Sequence, residues 1–408
     1  MKILLFALAL TQPDSTLLET LMRTRPAQFE AILQQPEIHE VQILYTQIDR
    51  DKRNRPSFRT FSYEVDKTRY FYPASTVKLP TAVLALEKLN KLNIKGLTKE
   101  SPMLTGVGYE RQTAVERDST SENGLPSVAH YTKKILLVSD NDAHNRLYEF
   151  LGQQYLNETL RAKGFPETRL VHRLQVGMTR EQNRRTNPVK FLGPDGKVVY
   201  EQPLVTSEKE FVPKNSIKKG KGFLRGETLV NEPFDFTYNN FSPLDEQHNV
   251  LKAILFPEAV DSKMRFELTE SDYRFLYRHL SELPTESRFP AYPKPAYWPT
   301  YCKFLFFGSE KEAVVPKNIR IFNKVGDAYG FLLDNAYVVD FERGIEFLVS
   351  VVIHCNADGI FNDDKYDYDT VGFPFMKNLG QLLYDHEAQR PKKRRPDLSK
   401  FVVEYDKE

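Results

Sequence analysis

Apolar residues recur along this chain with two spacings, and the switches between them mark out the elements. Residues 15 to 34 carry apolar positions at helical spacing and predict a helix that ends before "QQPE". "EVQILYTQIDR" and "SFRTFSYEVD" are rich in β-branched and aromatic residues. They predict two strands joined by the polar turn "DKRNRP". A helix over about 76–93 follows, with Val77, Val83, Leu84, Leu86 and Leu89 as its buried face. The stretch 96–126, with its Gly, Thr and Ser, is irregular. "PSVAHYTKKILLVSDNDAHNRLYEFLG" gives two helical segments interrupted near "VSDND", and "QQYLNETLRAKG" a third that stops at Gly164.

From about 186 to 240 the pattern changes. "VKFLGPDGKVVYEQ" predicts a hairpin around a Pro-Asp-Gly turn, and "KNSIKKGKGFLRG" a basic loop, so this section is an insertion. Helices return at "SPLDEQHNVLKAILF" and "TESDYRFLYRHLSEL". Three strands follow, "NIRIFNKVG", "YGFLLDNAYVVDF" and "IEFLVSVVIHC", and then a last helix over about 373–388. Strands at both ends with helices between them predict an α+β fold. One antiparallel sheet is built from both chain ends beside a mostly helical part.

The 408 residues, 40% hydrophobic, suffice for one large domain over 15–388 that carries the insertion. With 57 Lys+Arg against 55 Asp+Glu the chain has no field suited to nucleic acid. "RPKKRRPDLSK" reads as a solvated basic tail within 389–408. "MKILLFALALTQPDS" joins a lysine, a short apolar run and Ala7-Leu8-Ala9, as an export signal over 1–14 does, and predicts a periplasmic or extracellular protein. No other stretch is long enough to span a bilayer. Two cysteines make neither a disulfide framework nor a zinc pattern, and eight histidines lack ligand spacing. "NDDKYDYD" does not match a calcium loop, so no metal or cofactor is expected.

Candidate chemistry begins at "YFYPASTVKLPTAVLALEKLNKL", where Ser75 stands three residues before Lys78. A serine at a helix start lies near unpaired N–H groups and the positive end of the dipole, and a lysine one turn on projects to the same side. Serine is equally a favoured N-cap, and Pro80 in the second turn argues for a distorted helix entry. Ser216 and Lys219 repeat the spacing in a stretch without an apolar stripe. From spacing alone, cap and nucleophile remain equal.

Two further motifs break the tie. "VSDNDAHNRL" supplies Ser139-Asp140-Asn141, and "FNKVGDAYGF" supplies Lys324-Val325-Gly326. In this order the three motifs resemble the serine β-lactamase and penicillin-binding protein superfamily, most closely the class A β-lactamase type. "PASTVKLPTAVLALE", proline included, is also similar to class D enzymes. The resemblance implies a serine hydrolase that forms an acyl-enzyme on Ser75. Lys78 would act as base, Ser139 as proton relay, and Lys324 as the cation that lowers the pKa of Lys78. Asn141 would hold the substrate amide, and the backbone N–H groups of Ser75 and of Asp327, after Gly326, would stabilise the oxyanion. Tyr109 would wall the cleft as an aromatic does in class A enzymes, with a core or surface tyrosine as the equal alternative.

The chain also departs from the family. In "TRLVHRLQVGMTREQNRRTNP" no glutamate falls where class A enzymes place their deacylation base; the nearest is Glu181. A solvated loop glutamate is the alternative for Glu181, and Lys78 could then serve both steps. Val325 stands where the family has a hydroxyl for the substrate carboxylate, and Asp327 adds a negative charge beside it. The expected substrate is a small molecule or peptidoglycan-type amide or ester. A peptidoglycan DD-peptidase, an esterase, and a sensor acylated without turnover are the competing readings.

Overall fold

The computed structural model describes residues 16–407, so the export-signal segment 1–14 lies outside the described residues. The centre is a five-stranded antiparallel sheet drawn from both ends of the chain, as expected. β1 (Gln42–Arg50) and β2 (Pro56–Tyr63) form an N-terminal hairpin; β3 (Ile319–Ala328), β4 (Phe331–Asp340) and β5 (Ile345–His354) form a meander. The spatial order is β3-β4-β5-β1-β2. β1 joins the two parts by pairing Gln42 with Val352 and Gln47 with Phe347. β4 and β5 are buried along their whole length, which requires a layer on each face of the sheet.

α1 (Thr16–Arg23) and α2 (Pro26–Leu33) begin the first layer. The single helix expected over 15–34 is broken here: Arg25, before Pro26, leaves the helical region at φ −127° and ψ 63°. The second layer holds α3 (Lys78–Leu92), α4 (Val128–Val138), α5 (Asn141–Leu151) and α6 (Gln153–Ala162), completed by α7 (Leu244–Leu255) and α8 (Glu270–Ser281). α9 (Phe373–Gln389) returns to the first layer. There Leu18, Phe29, Met376 and Leu379 share a core with Ile43, Tyr45 and Val349. On the opposite face Phe322, Tyr337 and Leu348 join Leu84, Leu147 and Ile254. No helix among the described residues is long and apolar enough to cross a membrane.

The insertion is a set of short strands. Val189–Leu192 and Val198–Gln202 form the expected hairpin, to which Met103–Thr105 adds a third strand. Gly222–Arg225 pairs in parallel with Ile360–Phe361, which ties the insertion to the chain beyond β5.

The basic stretch after α9 is not the solvated tail that its charge suggested. Leu398 and Phe401 enter the helical core, and the Phe401 ring meets Tyr337 at 5.0 Å, Tyr277 at 5.3 Å and Phe322 at 5.5 Å. Asp406 pairs with Arg278. Two apolar anchors, one of them aromatic, outweigh the charge around them. Phe401→Ala should therefore cost about 3–5 kcal/mol in chemical denaturation, whereas a free tail would leave the midpoint unmoved.

Candidate active site

Ser75 lies in a 3₁₀ turn, Ala74–Val77, that runs directly into α3. Neither helix start has a side-chain cap, so Ser75 is not the N-cap its position allowed. Thr76 Oγ1 instead donates to Pro73 O at 2.6 Å. Ala74, before Ser75, has φ +47°, a conformation disfavoured for a residue with a Cβ and typical of strain kept at functional sites. Because α3 begins at Lys78, Pro80 falls in its first turn, where an N–H has no helical acceptor. The helix therefore accommodates the proline, and its entry through Ala74–Val77 is 3₁₀.

Lys78 is fully buried, and Lys324 nearly so. Both amines reach one hydroxyl: Lys78 Nζ donates to Ser139 Oγ at 3.1 Å and Lys324 Nζ to the same atom at 2.8 Å. Lys78 also donates to Ser139 O, and Lys324 to Val325 O at 2.8 Å. Ser139 can accept from both sides because it closes α4 in the left-handed conformation, φ +61°. Asp140 caps α5 by accepting from Ala143 N at 2.8 Å. Burial, and then the charge of Lys324, hold Lys78 well below the ordinary lysine range. Burial lowers Lys324 to about 8. Both amines therefore give up a proton more readily than an exposed lysine does.

Gly326 brings β3 against the Ser75 turn. A Cβ there would stand 2.8 Å from Ser75 N and 3.0 Å from Pro73 O, so only glycine fits without moving backbone. β3 is an edge strand, and its cleft side is open. The cleft has a volume of about 970 Å³ and is lined by Ser75, Ser139, Asn141, Gln175, Val325 and Asp327. Asp327 is exposed at its mouth, yet the surrounding walls desolvate the carboxyl enough to raise its pKa against the pull of Lys324 and Lys78.

Two expected residues stand elsewhere. Glu181 is half-exposed on the short helix Arg180–Arg184 and pairs with Arg185 at 2.5 Å and Arg184 at 3.6 Å; it does not line the cleft. Tyr109 does not wall the cleft either: the Arg185 guanidinium covers its ring at 4.3 Å. Trp298 and Tyr301, from the connection before β3, supply the aromatic wall instead.

Gln175 is the residue that the sequence reading missed. It has φ +55°, and its Oε1 accepts from Asn141 Nδ2 at 2.7 Å. From the loop after α6 it is the side chain that reaches the cleft. Its neighbours fix it there. Asn145 bonds both N and O of Leu174, at 2.8 and 2.9 Å, and Arg173 Nε donates to buried Glu149 at 2.8 Å. A signal was available in Arg173-Leu174-Gln175, but a search for an acidic side chain passes over an amide.

A model of the β-lactamase enzyme family matches residues 26–198, a span that includes Ser75, Lys78, Ser139 and Asn141 and stops before Lys324. The chain thus resembles the serine β-lactamase and penicillin-binding protein superfamily, as its three motifs implied. Among solved structures, a β-lactamase from Sphaerobacter thermophilus is 12% identical with a TM-score of 0.48, covering 93% of this chain and all of the other. PBP-A is 14% identical (TM-score 0.46, 92% of this chain and 98% of that one), and an ancestral class A β-lactamase is 13% identical (0.44, 90% and 99%). No curated protein matches the sequence.

Gly326→Ala tests the joint at the site. The new methyl should cost about 1–3 kcal/mol by overpacking in a denaturation titration; an unchanged midpoint would mean that β3 and the Ser75 turn are not in close contact.

Proposed function

We propose that the protein is a serine hydrolase that forms an acyl-enzyme on Ser75 with an amide or ester, and that this acyl-enzyme clears slowly. The small-molecule or peptidoglycan-type substrate and the exported location follow from the motifs and from the N-terminal residues. What carries the reading is the convergence of two buried amines on Ser139, in the cleft that Ser75 lines. Lys78, whose charged form burial disfavours, takes the Ser75 proton in its neutral form as Oγ attacks the carbonyl carbon. Ser139 passes a proton to the leaving nitrogen or oxygen. The N–H groups of Ser75 and Asp327 hold the oxyanion, and Asn141 the substrate amide.

Deacylation needs a base for water. The loop offers Gln175, whose amide cannot accept the proton at neutral pH. That one side chain also favours a second reading, a sensing module acylated once and read in that state.

Intact mass spectrometry with a reactive β-lactam tests the proposal. One adduct should form on the wild type and on Ser216→Ala, and none on Ser75→Ala; equal labelling of both variants would sink the assignment. The wild-type adduct should persist for minutes, and Gln175→Glu should shorten its life by about two to four powers of ten. A wild-type adduct that clears at once would refute slow deacylation.

The pH dependence has a definite sign. Acylation uses Lys78 without its proton and Lys324 with it. With Lys324 at about 8, the acylation rate should fall as pH rises through that value. In Lys324→Arg this alkaline limb should move beyond pH 10, since the guanidinium keeps its charge. A wild-type rate that keeps rising past pH 9 would exclude a protonated Lys324.

A further inference from the structure

The chain after α9 runs as a strap across one end of the central sheet. Arg390 ties its start to β1, donating to Asp49 at 2.7 Å and to Ile48 O at 3.0 Å. Arg395 then donates to Phe341 O at 3.4 Å and to Glu342 O, in the turn between β4 and β5. Asp397 N donates to Asn54 Oδ1 at 3.0 Å, and Asn54 Nδ2 returns a bond to Asp397 O at 2.8 Å, which fixes the strap to the turn between β1 and β2.

Three segments far apart in sequence thereby bring cations to one end of the molecule. Lys52 and Arg53 of the first turn, Arg343 of the second, and Lys393, Arg394 and Arg395 of the strap are all exposed. The acids Asp49 and Asp51 are taken by Arg390 and Arg55, at 2.7 and 2.6 Å, which leaves Glu342 and Asp397 as the exposed counter-charges. Lys52, Arg53, Lys393 and Arg394 have no acid partner among the described residues. Like charges fixed together repel one another, and an anionic partner relieves that repulsion. The cations sit on turns and on the strap and do not line the Ser75 cleft. An extended anionic surface meets all of them at once, whereas a small anion meets one or two. The exposed aromatics Tyr238 and Phe289 lie elsewhere, so the bases of a nucleic acid strand would find no ring to stack on.

We propose that this end of the sheet docks on a bilayer rich in anionic phospholipid and holds the Ser75 cleft clear of it. Lys324 pairs with Asn335 and Asp327 with Leu332, five and eight residues along β4 from Asp340 at the basic end. That is a separation of about 17 to 26 Å at the rise of a strand. The docking is electrostatic, and it does not depend on whether Ser75 is acylated.

Co-sedimentation of the full chain with vesicles tests the proposal, phosphatidylcholine alone against a mixture of phosphatidylcholine and phosphatidylglycerol. The protein should bind the charged vesicles at about 0.1 M salt and leave them at about 1 M, where the Debye length falls from about 10 to about 3 Å. Each neutralised cation should weaken binding about fivefold, so Lys393→Gln with Arg394→Gln should lower the partition constant about 25-fold. Lys214→Gln with Lys221→Gln removes as much charge from exposed positions of the insertion and should leave it nearly unchanged. Since Lys393 and Arg394 pair with no acid, the melting temperature of their double variant should not fall, and lost binding then reports the surface and not the fold. Equal binding to neutral vesicles, no binding to charged ones, or an equal loss in both double variants overturns the inference. Tighter binding to a single-stranded oligonucleotide than to charged vesicles at the lower salt would assign the surface to nucleic acid and overturn lipid docking.

Discussion

Two amines kept out of water at one hydroxyl are the constraint around which the site is arranged. An ammonium resists burial, and two beside each other resist it more. Lys78 and Lys324 are both enclosed and both held on Ser139. The fold supplies this arrangement through rigid parts: the first residue of a helix, the left-handed closure of another, and a sheet strand that glycine lets slide against the serine turn. Loosening any one of them would let water reach the amines and return them toward their ordinary pKa.

The sheet could be read from the sequence, because alternation and apolar runs state which residues must be buried. The same holds for the helices from 76 to 162 and the hairpin of the insertion. The three motifs could also be picked out because each is local: Ser75, Ser139 and Asn141 line one cleft, Lys78 and Lys324 meet at Ser139, and Gly326 abuts the Ser75 turn. What failed were statements that depend on distant partners. The basic run after α9 looks soluble until Phe401 finds Phe322 and Tyr337 from the sheet. Glu181 and Tyr109, for which a solvated glutamate and a core or surface tyrosine were the other readings, both turn to Arg185 instead of the cleft.

Gln175 failed for a different reason. Its placement comes from Asn145 and Glu149 on α5, acting through Leu174 and Arg173. The loop is anchored at two residues that carry no chemistry, and the third is thereby presented to the cleft. Glu149 is buried between two guanidiniums, Arg146 and Arg173. Removing one member would leave charge stranded in the interior. The anchor therefore constrains the loop backbone tightly and leaves the identity of residue 175 free to vary.

The pairing of β1 with β5 has a consequence for how the molecule comes into being. Gln42 meets Val352 with about three-quarters of the chain between them, so the hairpin made by β1 and β2 leaves synthesis early with one edge bare. It cannot be covered until the meander has been made. Contacts this distant in sequence close slowly, and an open strand edge is a template for other chains meanwhile. Folding yield should thus be governed by how long that edge waits for its partner, and a chaperone or slow translation across the helical middle would act on that interval rather than on the stability of the finished sheet.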